Sequence, residues 1–92
     1  MKTKRTRIEI IYDILRAIHE KQGKIKPTHL LYKSNLSYKK MNEYLAELRE
    51  KDMIGSFVDK DKKFFTITPA GLKFLLEYKK MQEFTESFGL SS

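Results

Sequence analysis

No cysteine occurs in the 92 residues, which excludes disulfides and any cysteine-ligated zinc site. Histidine is nearly as scarce, with His19 and His29 the only imidazoles, so no metal is expected. No apolar run approaches the roughly 20 residues that a spanning helix needs, and the basic N-terminus leads into a mixed polar stretch rather than an apolar signal core. A soluble protein of the cytoplasm is expected, with no membrane contact. Also missing are a nucleophile with a base at recognisable spacing, a glycine-rich phosphate loop and a metal-ligand cluster. An enzyme is therefore the least favoured class, and neither a cofactor nor a small-molecule ligand is expected. The length allows one core and no second.

What the chain has is positive charge, unevenly placed. The formal net charge is +7, and residues 1–40 hold eleven Lys/Arg against three Asp/Glu while residues 41–92 hold eight against nine. The first part carries +8 and the second −1. A field gathered at one end suits a polyanion, of which nucleic acid is the commonest in a cell. Lysine-rich surfaces also serve solubility alone.

Met1 to Arg7, MKTKRTR, reads as a basic arm that either contacts phosphate, through Arg5 and Arg7 among others, or is simply solvated. A first helix is expected from near Thr6 to near Gln22, with Gly23 as its stop. At about 100° per residue, Ile8, Ile11, Tyr12, Ile14, Leu15 and Ile18 share an arc. His19 lies at the edge of that arc and reads as a partly buried structural histidine. Gly23 to Lys26 is a link, and Pro27 opens a short second helix because its missing N–H would be unpaired there in any case. Leu30 and Leu31 anchor that helix, leaving His29 and Tyr32 near the surface.

The stretch from Lys33 to Lys51, KSNLSYKKMNEYLAELREK, organises the rest. Ser34, Asn35 and Leu36 are turn material, and Ser37 is placed to cap a third helix beginning at Tyr38. Tyr38, Met41, Tyr44, Leu45 and Leu48 share the arc expected to be buried; Lys39, Lys40, Asn42, Glu43, Ala46, Glu47 and Glu50 face away. The outer face is basic and amide-bearing at its start and acidic at its end, which suits end-on insertion into a groove. Taken alone, the pattern equally describes an amphipathic helix with a solvated face. A short helix, a tight turn and a longer amphipathic helix in succession make a helix-turn-helix.

Met53 to Val58 and Phe64 to Thr68 are β-prone runs around a polar turn, a hairpin whose tip carries Lys60, Lys62 and Lys63. These lysines either reach a neighbouring phosphate backbone or keep an edge hairpin soluble. Thr68-Pro69 restarts a helix running to about Phe88. Leu72, Leu75 and Leu76 share one arc, expected to pack on the head, and Phe74, Tyr78, Met81, Phe84 and Phe88 share roughly the opposite one. The second stripe asks for a partner, most simply a second copy across a two-fold axis; the other readings are a tail folded back on its own domain or frayed after Tyr78.

The segments IEIIYDILRAI, THLLYKSNLSYKKMNEYLAELREKDMI and FFTITPAGLKFLLEYKKM together resemble the archaeal winged-helix regulators. The likeness is to the group containing the ten-kilodalton chromatin-associated DNA-binding proteins of crenarchaea, and it extends from about Arg5 to Phe84. YKSNLSY and TITPAGLKFLLEY are its most specific parts. It implies a mainly α fold with a small β-hairpin: a winged helix-turn-helix plus a long C-terminal helix that pairs two subunits. Carried over by position, Lys33, Ser34, Asn35 and Ser37 match the turn, Tyr38 through Asn42 match the groove-facing helix start, and Lys60 through Lys63 match the wing. The chromatin-associated members have a longer C-terminal coiled coil, so a shorter or differently arranged dimer interface is expected.

Residues 1–68 are expected to form a DNA-binding head and residues 69–92 a dimerisation helix, within one compact unit. The expected function is sequence-specific binding of double-stranded DNA by a homodimeric transcriptional regulator, cytoplasmic and nucleoid-associated. Lys39 would reach guanine or phosphate, Asn42 adenine, and Glu43 either cytosine or a neighbouring lysine. Ser37 and Tyr38 would hold phosphate. Two alternatives remain: sequence-neutral chromatin packaging, and a winged helix used to hold another protein.

Overall fold

The computed structural model describes residues 5–90. Its elements run α1 (Arg7–Glu20), β1 (Lys24–Ile25), α2 (Pro27–Ser34), α3 (Tyr38–Glu50), β2 (Ile54–Asp59), β3 (Lys62–Ile67) and α4 (Pro69–Ser87). Met1 to Lys4, most of the expected basic arm, lie outside the described residues, as do Ser91 and Ser92.

α1 starts where its sequence provides both halves of a capping box. The Thr6 hydroxyl accepts from the Glu9 amide at 3.2 Å, and the Glu9 carboxylate accepts from the Thr6 amide at 2.8 Å. Two amides that the first turn cannot pair internally are thereby satisfied. The helix buries Ile11, Ile14, Leu15, Ala17 and Ile18. Gln22 and Gly23 then turn the chain through two successive left-handed residues, φ 61° and 85°, and the Gly23 amide donates to the Ile18 carbonyl at 3.0 Å. His19 is exposed rather than partly buried, because the helix rests on its Ile14–Ile18 side.

The link after Gly23 is a strand. Lys24 and Ile25 pair antiparallel with Thr66 and Phe65, giving a three-stranded sheet ordered β1-β3-β2. Two residues are too few for an alternation to be read from sequence, but Ile25 is buried and anchors the strand. β3 consequently has a partner on both sides.

The hairpin is tighter than its polar run suggests. Strand pairing continues outwards to Asp59 opposite Lys62, leaving only Lys60 and Asp61 as the turn, with φ of 51° and 63°. Two left-handed residues in a two-residue loop match the right-handed twist of the strands. Lys62 and Lys63 therefore lie on β3 rather than at the tip.

α4 is locked at its start. The Thr68 hydroxyl accepts from the Gly71 amide at 3.1 Å and donates to the Asp52 carbonyl at 2.7 Å, while the Thr68 amide donates to the Met53 carbonyl at 3.2 Å. A Cβ on Gly71 would lie 2.4 Å from the Met53 carbonyl oxygen and 2.8 Å from Ile67 Cγ1, so only glycine lets α4 approach the sheet this closely. Leu75 joins the core of Ile14, Leu15, Ile18, Ile25, Leu30, Met41 and Leu48.

The two-arc reading of α4 needs correction. Leu76, expected to face the head, is 62 % exposed. Phe74 and Tyr78, assigned to a partner, pack at home: Tyr78 stacks on Tyr12 of α1 at 4.5 Å and on Phe74 at 6.0 Å. Burial and the nearby Glu9 and Asp13 carboxylates push the Tyr78 phenol pKa up. The helix faces the head with its Gly71–Leu75–Tyr78 side, Gly71 against Met53 and Ile67 and Tyr78 against α1, a line about midway between the two sequence arcs. Only beyond Tyr78 does a free apolar stripe remain.

Candidate nucleic-acid interface

α2 ends in Asn35, whose left-handed backbone, φ 56°, turns the chain toward α3. Ser37 closes the three-residue turn by accepting from the Lys40 amide at 3.1 Å. Met41, Leu45 and Leu48 hold α3 in the core, which leaves Tyr38, Lys39, Lys40, Asn42 and Glu43 on the outside of its first turns. Tyr38, expected on the buried arc, is 68 % exposed: at the helix start it lies beyond the edge of the core. Lys40 and Glu43 pair loosely at 3.8 Å. The surface contains donors and acceptors of the kinds that read base edges and phosphates.

Two arginines assigned to the arm brace this unit instead. Arg5 donates to Asp13 of α1 at 2.8 Å and to the Ser34 and Asn35 carbonyls at 2.8 and 3.3 Å. It therefore caps the C-terminal end of α2, where unpaired carbonyls favour a cation, and ties the turn to α1. Arg7 pairs with Glu47 of α3 and lies 5.9 Å from the centre of the Tyr44 ring. Its hydrogen bond holds the Glu47 carboxyl below the usual glutamate range and raises the guanidinium pKa. The acidic end of α3 is partly neutralised from within.

Ser34 is the clearest correction. It is fully buried and donates to the Leu31 carbonyl at 3.3 Å, so it cannot meet a ligand. Lys33, Asn35 and Ser37 are exposed along the same turn, and Lys60, Lys62 and Lys63 are exposed on the wing. Lys63 lies 5.1 Å from the centre of the Phe65 ring, and Lys62 faces Asp59 in register.

Three further lysines escape the sequence reading. Lys21, Lys24 and Lys26 line a groove with His29 and Phe64. A signal is available in the sequence: Phe57 and Phe64 are equidistant from the Lys60–Asp61 turn, so placing that turn correctly sets them opposite each other.

The match to known proteins follows the same outline. A winged helix-turn-helix family model matches residues 4–86. The chain belongs to that family. The chain is similar to an uncharacterized protein of Methanocaldococcus jannaschii, 35 % identical over 74 residues, which cover 80 % of this chain and 32 % of the relative. The winged-helix chain thus spans about a third of the curated relative it matches. Among solved structures, Sso10a-2, a DNA-binding protein from Sulfolobus solfataricus, superposes with a TM-score of 0.76 at 24 % identity, over 91 % of this chain and 85 % of that one. A Staphylococcus aureus MepR variant bound to an oligodeoxyribonucleotide gives 0.75 at 17 % identity, over 90 % and 63 %. At these identities the likeness is one of fold. Among the described residues no helix is long and apolar enough to cross a membrane, and no group of three or more His, Cys, Asp or Glu could hold a metal ion.

Proposed function

We propose that the winged helix-turn-helix chain binds duplex DNA as a homodimeric transcriptional regulator, with the first turns of α3 in the major groove and the wing on the backbone. The observation that carries this reading is the exposed set Tyr38, Lys39, Lys40, Asn42 and Glu43 at the start of a helix whose other face is fixed in the core. In this reading Asn42 pairs with adenine, Lys39 reaches guanine or phosphate, and Glu43 accepts from cytosine when it leaves Lys40. Lys33, Asn35, Ser37, Tyr38 and the wing lysines position the protein on phosphates. The oligodeoxyribonucleotide held by the MepR neighbour supports the same use of the fold. A cytoplasmic, nucleoid-associated location goes with it.

Residues 1–68 serve as the head, and residues 69–92 provide the dimer contact through Met81, Phe84 and Phe88. Phe84 and Phe88 are each 65 % exposed and pack edge to face at 5.1 Å. A second copy laid along this stripe removes it from water, the usual answer to an exposed apolar patch.

The test is fluorescence anisotropy of a labelled duplex, titrated at several salt concentrations. Affinity should fall steeply with salt. Lys39→Ala with Lys40→Ala should weaken binding and reduce the log–log slope by about 1 for each of the two lysines that neutralises a phosphate. Equal affinity for every duplex would make this a packaging protein. Absence of binding at low salt would favour the protein-docking reading, for which exposed Phe84 and Phe88 would be the contact.

A further inference from the structure

The outer face of the sheet has its own composition. Phe57 and Phe64 are cross-strand partners whose rings stack at 5.4 Å with planes 22° apart. The Lys24 ammonium from β1 lies 4.9 Å from the Phe64 ring centre and 5.9 Å from that of Phe57. Beside Phe57 on the same face of β2 is Gly55, opposite Thr66, so β2 itself brings no side chain beside that ring on the Lys24 side. Adjoining them is a groove of about 520 Å³ whose lining includes Glu20, Lys21, Lys24, Lys26, His29 and Phe64. The left-handed Gln22–Gly23 turn brings Lys24 back to Lys21, the Lys24 amide donating to the Lys21 carbonyl at 3.3 Å.

The charge here is uncompensated. Glu20 pairs with Arg16 at 2.8 Å, while none of Lys21, Lys24 and Lys26 is in an ion pair among the described residues. Arg5, Arg7 and Arg16 are all engaged by carboxylates. Among the described residues up to Lys40, the lysines therefore fall in two places, Lys33, Lys39 and Lys40 at the helix-turn-helix and these three beside the sheet. A cross-strand aromatic pair alone could serve to stabilise the wing. It does not account for three unpaired lysines around an aromatic wall.

A polyanion that also offers flat rings fits both features. Bases in an intact duplex have their faces covered by their neighbours, whereas an unpaired base can stack on a side-chain ring, and a basic groove can follow its backbone. We propose that the outer sheet face, from the α1–β1 turn across Lys24 to the Phe57–Phe64 pair, binds single-stranded nucleic acid. An unpaired base stacks on the rings, and Lys21, Lys24 and Lys26 hold the adjoining phosphates. This site uses none of the α3 residues, so it stands or falls separately from the duplex reading.

The experiment uses the full chain and a short labelled oligodeoxythymidylate, with an abasic strand of equal length and a duplex as companions, read by anisotropy at low salt. Lys21→Ala, Lys24→Ala and Lys26→Ala together should weaken the single strand about tenfold and leave duplex affinity within about twofold. Phe57→Leu, at an exposed position with its strand pairing kept, should weaken the base-bearing strand about fivefold or more and leave the abasic strand unchanged. The proposal is overturned if the oligodeoxythymidylate does not bind, or if Lys39→Ala with Lys40→Ala weakens it as much as the triple change does. It is also overturned if the triple change weakens the duplex equally, which would make the groove part of the duplex footprint, or if Phe57→Leu has no effect. Circular dichroism of each variant confirms that the fold is kept.

Discussion

The two ends of α4 have similar composition and opposite situations. At its start, Thr68, Gly71 and Leu75 are fixed by hydrogen bonds and close packing against the 52–53 turn, β3 and the core. At its end, Met81, Phe84, Phe88 and Leu90 are all large, apolar and exposed. One apolar set is satisfied within the chain and the other is not. Hydrophobicity along a helix therefore says that burial is wanted, and only the geometry says who supplies it.

Neighbouring leucines give the sharpest contrast. Leu75→Ala should cost about 3 kcal/mol, through the transfer energy of the deleted atoms and the cavity they leave in the core, whereas Leu76→Ala should change stability by less than about 0.5 kcal/mol. Urea denaturation of both variants at one low protein concentration measures the difference. Equal destabilisation would mean that α4 is rotated from the orientation described. Gly71→Ala comes next, at about 2 kcal/mol. Helix propensity alone favours alanine by up to about 1 kcal/mol, so destabilisation here means that the clash with the Met53 carbonyl and Ile67 outweighs it. Thr68→Val removes both the cap and the hydrogen bond to Asp52 and should cost about 1 kcal/mol. A neutral result would put the anchoring of α4 wholly on packing.

The same contrast separates what is legible in the sequence from what is not. Helix starts are readable because caps are local: Thr6, Ser37 and Thr68 each cap the helix that follows, and Pro27 and Pro69 each occupy a first position. β1 is not readable, since its two residues acquire strand geometry only from β3, some forty residues away. The individual site residues split in the same way. Helical periodicity alone places Lys39, Lys40, Asn42 and Glu43 on the open face, whereas it misjudges Phe74 and Tyr78 because α1 packs on that side of α4; the basic run that suggests Arg5 does not show Asp13 beside it, and the turn that suggests Ser34 does not show its burial. Arginine within a basic run looks like a phosphate contact until Asp13 or Glu47 is found beside it.

The far end of α4 gives the smallest effect on the fold and the most informative one. Phe84→Asp with Phe88→Asp should leave the isolated head's stability within about 0.5 kcal/mol, because these side chains touch no core residue. If the stripe holds two copies together, the unaltered protein's melting temperature rises with concentration, since association draws on the folded state alone. The doubly substituted chain then melts at one temperature over the same range and sediments as a monomer. Should the unaltered chain already behave so, the stripe is not a self-contact. Should the variant still dimerise, the contact lies nearer the head, where Leu76 and Met81 are the large apolar side chains of α4 still exposed.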